Sequence, residues 1–186
     1  MLPLRTERLQ LVAATLELAR AELSGPRRFA ALLGAHVPPH WPPPLNDEQS
    51  MRWTADFLAE NPDGVGWGTW YFLHKEHGEL QAVGNGGFKG KPTADGTVEI
   101  GYSILPEHHR LGFAPEAVRA LIDWAFSHAT VTHVTAQTLP ELHPSIRVLE
   151  KCGFRFVGPG SEERAILYEL GRDDHARTRP AARRTR

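Results

Sequence analysis

The hydrophobic pattern of this chain changes period several times, and each change predicts an element. Residues 4–12 (LRTERLQLV) alternate apolar and polar positions, which predicts a strand. Residues 15–35 take helical spacing and read as one or two short helices broken at Gly25-Pro26. Residues 36–45 (HVPPHWPPPL) fit neither period. Five prolines in ten residues remove backbone donors and fix φ, so this is a stiff extended loop that places Trp41. Asn46 followed by Gln49 reads as a capping box for a helix running to about Glu60. Residues 66–74, 78–88 and 96–105 are then rich in β-formers. The segments between them, KEHG and KGKPTADG, have hairpin lengths, so the three predict an antiparallel meander.

Helical spacing returns at Val118, Leu121, Ile122, Ala125 and Phe126, which mark a core-facing helix stripe. Residues 130–139 (TVTHVTAQTL) read as a strand. A strand–helix–strand crossover makes it parallel to residues 97–105, with a right-handed connection. A second helix is expected over about 144–152, stopped by Gly153, and FRFVG and ERAILYEL close the fold as two strands. The whole predicts one mixed α/β domain over 1–171. From residue 172 the chain carries six Arg against two Asp and few apolar residues, and it is expected to be disordered.

Composition narrows the function classes. The 186 residues are 41% hydrophobic and 23% charged, as in an ordinary globular domain with a sizeable core. Formal charge is −1, which divides into +4 on residues 172–186 and −5 on the rest. No apolar run approaches the roughly 18 residues needed to span a membrane, and the opening segment has no apolar signal core, so a cytoplasmic protein is expected. No membrane or nucleic-acid partner is expected, and the assembly is read as a monomer or homodimer. The single Cys152 excludes an intrachain disulfide, and its apolar setting reads as core packing.

One stretch carries candidate chemistry. Residues 108–118 (HHRLGFAPEAV) lie between a strand and the first turn of a helix, where backbone N–H groups lack helical partners and the helix dipole is positive. Gly112 lets the backbone approach a ligand, Ala114 keeps the approach open, and Pro115 stands where a helix start can spare a donor. The arrangement fits an anion site, and also a plain strand-to-helix turn. Rival motifs fail. GNGGFKGKP (84–92) has the wrong glycine spacing for a phosphate loop and places Pro92 where Ser or Thr is required. The pairs His74/His77 and His108/His109 lack further ligands at metal spacing, and there is no G-x-S-x-G elbow.

HHRLGFA resembles the Q/R-x-x-G-x-G/A pyrophosphate loop of the GNAT superfamily, the GCN5-related N-acetyltransferases, with His109 where Gln or Arg is usual. RTERLQL, VEIGYSILPEHHRLGFAPEAVRALIDWAF and SIRVLEKCGFRFVG together resemble its RimJ/RimL-like branch, in order and spacing over nearly all of residues 4–171. The resemblance implies a mixed, mostly antiparallel sheet with helices on both faces, splayed to hold acetyl-CoA without a metal. By position, the backbone of Ser103, Ile104 and Leu105 would pair with pantetheine. The amides of Arg110, Leu111, Gly112, Phe113 and Ala114 would hold the pyrophosphate, with His109 at the head of the same cofactor-binding loop.

The implied reaction is acetyl transfer to an amine, which needs a base, a polarised carbonyl and a proton for the leaving thiolate. Glu99 matches the general-base position, and an ion-pair partner on the sheet face is the other reading of the same residue. An amide near Leu105 would meet the oxyanion. Where many family members carry tyrosine in the last helix this chain has Leu149, which leaves Ser145 as proton donor or as helix cap. The usual pantetheine-binding Asn is replaced by Leu142 or His143. Trp41, Trp53, Trp67 and Trp70 either wall an acceptor pocket or pack in the core. A non-catalytic acyl-CoA-binding module is the alternative function.

Overall fold

A computed structural model describes residues 2–76 and 78–178. His77, in the expected KEHG turn, and the tail from residue 179 onward lie outside the described residues. The elements are β1 (Leu4–Arg5), β2 (Leu9–Ala13), α1 (Leu16–Ser24), α2 (Pro26–Leu33), α3 (Glu48–Glu60), β3 (Thr69–Glu76), β4 (Glu79–Phe88) and β5 (Thr97–Ile104). After a short 3-10 turn come α4 (Phe113–Ser127), β6 (His133–Thr138), α5 (His143–Lys151), β7 (Arg155–Pro159), β8 (Ile166–Gly171) and α6 (Arg172–Thr178). The strands form one sheet in the order β1-β2-β3-β4-β5-β6-β8-β7. Every neighbouring pair is antiparallel except β5 and β6, which are parallel and joined across α4 as the crossover rule requires.

Helices cover both faces of the sheet. The helical stripe of α4 is buried as its spacing predicts, with Val118, Leu121 and Ile122 packed with Leu11, Phe72, Val98 and Ile100. On the other face α1, α2 and α3 bury Leu18, Phe29, Leu33 and Leu58 with Tyr71, Leu73 and Ala82. Each such side chain, fully buried, contributes about 1.5–3 kcal/mol. Cys152 is 7% exposed inside the α4 core and burial pushes its thiol up to about 11, so it packs and does not attack.

Three boundaries differ from the expected ones. The strand at 4–12 is broken at Thr6, whose N–H donates to the Leu9 carbonyl and whose hydroxyl oxygen accepts from the Leu9 N–H in a turn. Helix α3 is capped by Asp47, not Asn46, through a bond from the Ser50 amide at 2.9 Å. The chain from residue 172 continues as α6, where disorder was expected. Arg172 drives this: its guanidinium donates to the carbonyls of Phe126, His128 and Val131 and lies over the Phe126 ring.

A buried carboxylate fixes the α1 face. Glu22 is 9% exposed, and its two oxygens accept from Trp41 Nε1 at 2.7 Å and the Tyr71 hydroxyl at 2.8 Å. Trp41 belongs to the proline-rich loop and Tyr71 to β3, so one carboxylate ties loop, helix and sheet together. Burial raises the Glu22 carboxyl above its ordinary range, partly offset by these two bonds. A raised acid favours the folded state when protonated, so this contribution is full below the ordinary pKa of 4.5 and is lost as pH rises through the raised value. Denaturant titration of wild type and Glu22→Gln should therefore show the difference moving against wild type as pH rises above 4.5. The slope should be about 1.4 kcal/mol per pH unit at most within that window and flat below it.

Candidate active site

The sheet opens where β5 leaves β6. The two strands pair only at Thr97↔His133, Val98↔Val134 and Glu99↔Thr135. Beyond that point β5 continues to Ile104 bonded to β4 alone, and β6 continues to Thr138 bonded to β8 alone. The result is a wedge-shaped gap with an unpaired strand edge on its β5 side.

Register decides which groups face the gap. Leu105 N–H bonds the Val83 carbonyl at 2.9 Å, and Lys89 N–H bonds the Glu99 carbonyl at 2.9 Å. Backbone groups alternate sides along a strand, so Gly101, Ser103 and Leu105 face β4, and Tyr102 and Ile104 face the gap. The expected oxyanion donor near Leu105 is thus committed to Val83, and Ser103 and Leu105 cannot line the gap through their backbone. The Ser103 hydroxyl instead donates to the Pro44 carbonyl at 2.6 Å. The Ile104 carbonyl accepts from His109 Nε2 at 2.8 Å, so the imidazole closes the gap edge and is not aimed at the turn.

That edge runs into the turn before α4. Arg110 (φ 62°) and Gly112 (φ 84°) are both left-handed, which turns successive amides toward one side. Among the described residues, the amides of Arg110, Leu111, Gly112, Phe113 and Ala114 donate to no backbone acceptor, and Gly112 caps α4 without a side-chain bond. These are the orphan donors of a helix start, and Leu111 is 51% exposed beside them. The turn is held from behind by a pair 108 residues apart in sequence. Glu116, in the first turn of α4, accepts from the Thr6 hydroxyl at 2.6 Å, the Arg8 amide at 2.8 Å and Arg8 Nε at 2.8 Å. Arg8 Nη1 also donates to the Leu111 carbonyl at 2.7 Å, and the guanidinium lies 4.9 Å from the Phe113 ring centroid. Burial pushes the Glu116 carboxyl up, but the bonds from Thr6 and Arg8 outweigh it and hold the group below its ordinary value. The RTERL segment shows this role only once the fold joins it to α4.

Glu99 sits at the apex of the gap. Its carboxylate is 24% exposed rather than enclosed in an apolar cleft, and it is shared between Lys89 Nζ at 2.5 Å and Gln137 Nε2 at 3.0 Å. Burial lowers the Lys89 ammonium and the Glu99 bond and charge raise it, with a net upward shift. The ion-pair reading of Glu99 is therefore realised, on a carboxylate that still faces solvent. Across the gap, α5 is capped by Leu142, which removes the cap role considered for Ser145. Tyr102, which the sequence reading passed over, reaches Ser145: its hydroxyl lies 3.1 Å from the Ser145 carbonyl and 3.2 Å from Oγ. Burial pushes this phenol up to about 12, so it stays protonated. Leu149, in the familiar tyrosine position, is 1% exposed in the α4 core.

The four tryptophans separate. Trp67 and Trp70 pack on Trp124 at 4.6 and 5.4 Å in the α4 core. Trp41 lies over Tyr71 on the opposite face, and Trp53 stacks on Phe57 at 5.2 Å and is 41% exposed. Among the described residues no group of three His, Cys, Asp or Glu side chains could hold a metal ion, and no helix is long and apolar enough to cross a membrane.

Comparison with known proteins agrees with this geometry. The uncharacterized N-acetyltransferase YjdG of Bacillus subtilis (strain 168) is 30% identical over 170 residues, covering 90% of this chain and 98% of that protein. The ribosomal-protein-S5-alanine acetyltransferase of Vibrio fischeri superposes with a TM-score of 0.65 at 18% identity, covering 97% of this chain and all of that one. RimL, a ribosomal L7/L12 alpha-N-protein acetyltransferase solved with coenzyme A, gives 0.64 at 15%, covering 92% and 99%. The profile described as an acetyltransferase (GNAT) domain matches residues 12–155, across the splayed strands and the turn at Gly112. With strands parted as that fold requires and a matching profile over most of its length, the chain belongs to the GNAT acetyltransferase family.

Proposed function

We infer that this chain moves the acetyl group of acetyl-CoA to a primary amine by direct attack in a ternary complex. The carrying observation is the parting of β5 from β6 beyond Glu99, which leaves a strand edge leading straight to the unpartnered amides of 110–114. Pantetheine, a chain of amides, suits the edge presented by Tyr102 and Ile104. A diphosphate suits the turn. The three sequence segments and the likeness to RimL and the Vibrio fischeri enzyme support the RimJ/RimL-like branch. The buried, unpaired Cys152 favours a reducing cytoplasmic setting.

In this reading the amine nitrogen attacks the thioester carbonyl, a C–N bond forms and the C–S bond breaks. Glu99 accepts the proton that the incoming ammonium must lose, and the ammonium competes with Lys89 for that carboxylate. Tyr102 N–H, facing the gap, is the oxyanion donor in place of Leu105. In the tetrahedral intermediate the nitrogen still carries a proton that the amide does not keep; Ser145, with Oγ held by Tyr102, passes its hydroxyl proton to the departing sulfur and takes that nitrogen proton in its place. The Lys89 pair at Glu99 and Leu149 in the tyrosine position favour a second reading, a module that binds acyl-CoA without turnover. Thiol release across a panel of primary amines, beside calorimetry with CoA, separates the two, since a binding module titrates CoA and releases no thiol.

Gly112→Val should weaken CoA binding by at least about ten-fold, because φ there is left-handed and a Cβ would stand 3.1 Å from the Arg8 guanidinium. Equal calorimetric affinity for the variant and wild type would remove the turn from the binding site.

Ser145→Ala should lower kcat with little change in CoA affinity, and Tyr102→Phe should do the same more weakly. Because α5 is capped by Leu142, Ser145→Ala should leave the melting temperature nearly unchanged. A melting loss with full turnover would make Ser145 structural.

Glu99→Gln should reduce kcat/KM by on the order of 10² to 10⁴ near neutral pH. The deficit should shrink as pH rises, because solvent then supplies more free amine. A loss equal at every pH would reassign Glu99 to positioning.

A further inference from the structure

Strands β3, β4 and β5 set Tyr71, Asn85 and Ser103 in one cross-strand row. The row faces the α1–α3 side because β4 carries an extra residue. Pairing with β3 steps from Leu73↔Ala82 to Phe72↔Gly84, so Val83 has no β3 partner. Without that bulge Asn85 would turn into the core beneath α4.

The proline-rich segment crosses this row as a strap. Over Tyr71 it places Trp41, ring centroids 6.3 Å apart, with the indole N–H on Glu22. Over Ser103 it places Pro44, whose carbonyl takes the serine hydroxyl. Asn85 lies between these anchors in the row. It is 3% exposed, and its Nδ2 is buried without a hydrogen-bond partner. Buried polar groups in folded proteins are nearly always satisfied, so an orphan donor calls for an account. The other such atom among the described residues, His108 Nε2, belongs to the turn beside Phe113.

Along the same face the next pair is Gly87 and Gly101, and the pair after it is Lys89 and Glu99. A Cβ built on Gly101 meets nothing within 4 Å, so the sheet between the asparagine and the candidate base carries no side chain and is open above Gly101. Gly87 is buried and a Cβ there would run into the Gly68 carbonyl, so the open trough runs along β5 over Gly101, with the donor beside one end and a carboxylate at the other. Four residues of strand separate the ends, about 13 Å.

We propose that Asn85 recognises the acceptor: its side-chain N–H donates to a carbonyl oxygen of an elongated amine that lies along β5 over Gly101 with its nitrogen at Glu99. The proposal rests on the acetyl-transfer reading and adds a substrate class to it. The acceptor is a primary amine carrying an amide or ester carbonyl on the order of 10 Å from the nitrogen. A linear polyamine offers only donors and positive charge, and leaves Nδ2 as unsatisfied as before. Entry of the oxygen displaces the strap at Pro44, which the Ser103 hydroxyl ties to β5.

The test compares tetra-alanine amide with a linear diamine of matched length as acceptors for wild type, Asn85→Leu and Asn85→Asp, with CoA affinity measured on each. The ratio of kcat/KM values, peptide amide over diamine, should fall by at least about ten-fold in both variants while CoA affinity holds. In wild type the Asn85 side-chain NH2 resonances, assigned by their loss in Asn85→Leu, should shift when tetra-alanine amide is added with CoA. An unchanged ratio, or resonances that stay fixed with saturating amide, would overturn the proposal. Shifted resonances and intact CoA binding without thiol release would defeat the transfer reading and leave the recognition site standing.

Discussion

The structure depends on strand pairing that stops. A buried or half-buried strand edge must place its N–H and C=O groups somewhere, and here β5 and β6 release each other after Glu99 and Thr135 instead of pairing to their ends. The alternation that commits Leu105 to Val83 turns Tyr102 and Ile104 outward into the gap. An extended ligand with amide groups completes such an edge as a further strand would. Tyr102 bridges the two walls from β5 to Ser145 on α5, so the same residue supplies a backbone edge and a side-chain tie.

Two polar hubs keep the gap in register with what surrounds it. Arg8 and Glu116 fasten the first strands to the start of α4, so that the turn at Gly112 presents its amides without a capping side chain. Glu22 fastens the strap and β3 to α1 on the opposite face. Removing one partner from either hub leaves a buried or half-buried charge or donor unsatisfied, which costs more than the bond itself contributes. The gap side and the strap side are thus braced independently, and Glu99 lies where they meet.

Much of this was legible in the sequence, in proportion to how local the cause is. The period changes located the meander, α4 and the parallel strand, and Gly25-Pro26 marked the helix break, because each depends on neighbours a few residues away. The turn at 110–114 was legible for the same reason, from a strand, a glycine and a proline-started helix in succession. What failed depends on register or distance. The direction of the Leu105 amide follows from its pairing with Val83, and a β4 bulge with no sequence mark decides which face Asn85 takes. Lys89 meets Glu99 only across a hairpin, and Glu116 meets Thr6 and Arg8 only in the finished fold. The helix beyond residue 171 was missed because composition cannot show that Arg172 has three carbonyls waiting for it.

Amide hydrogen exchange on the free protein and with CoA tests the central claim most directly. In the free protein the Leu105 amide should be protected by Val83, while those of Tyr102, Ile104 and Leu111 to Ala114 exchange fast. Adding CoA should slow this second group and leave Leu105 as it was. If CoA left the Tyr102 and Ile104 amides fast, or slowed only amides away from the gap and the turn, the parted strands would not be the coenzyme site.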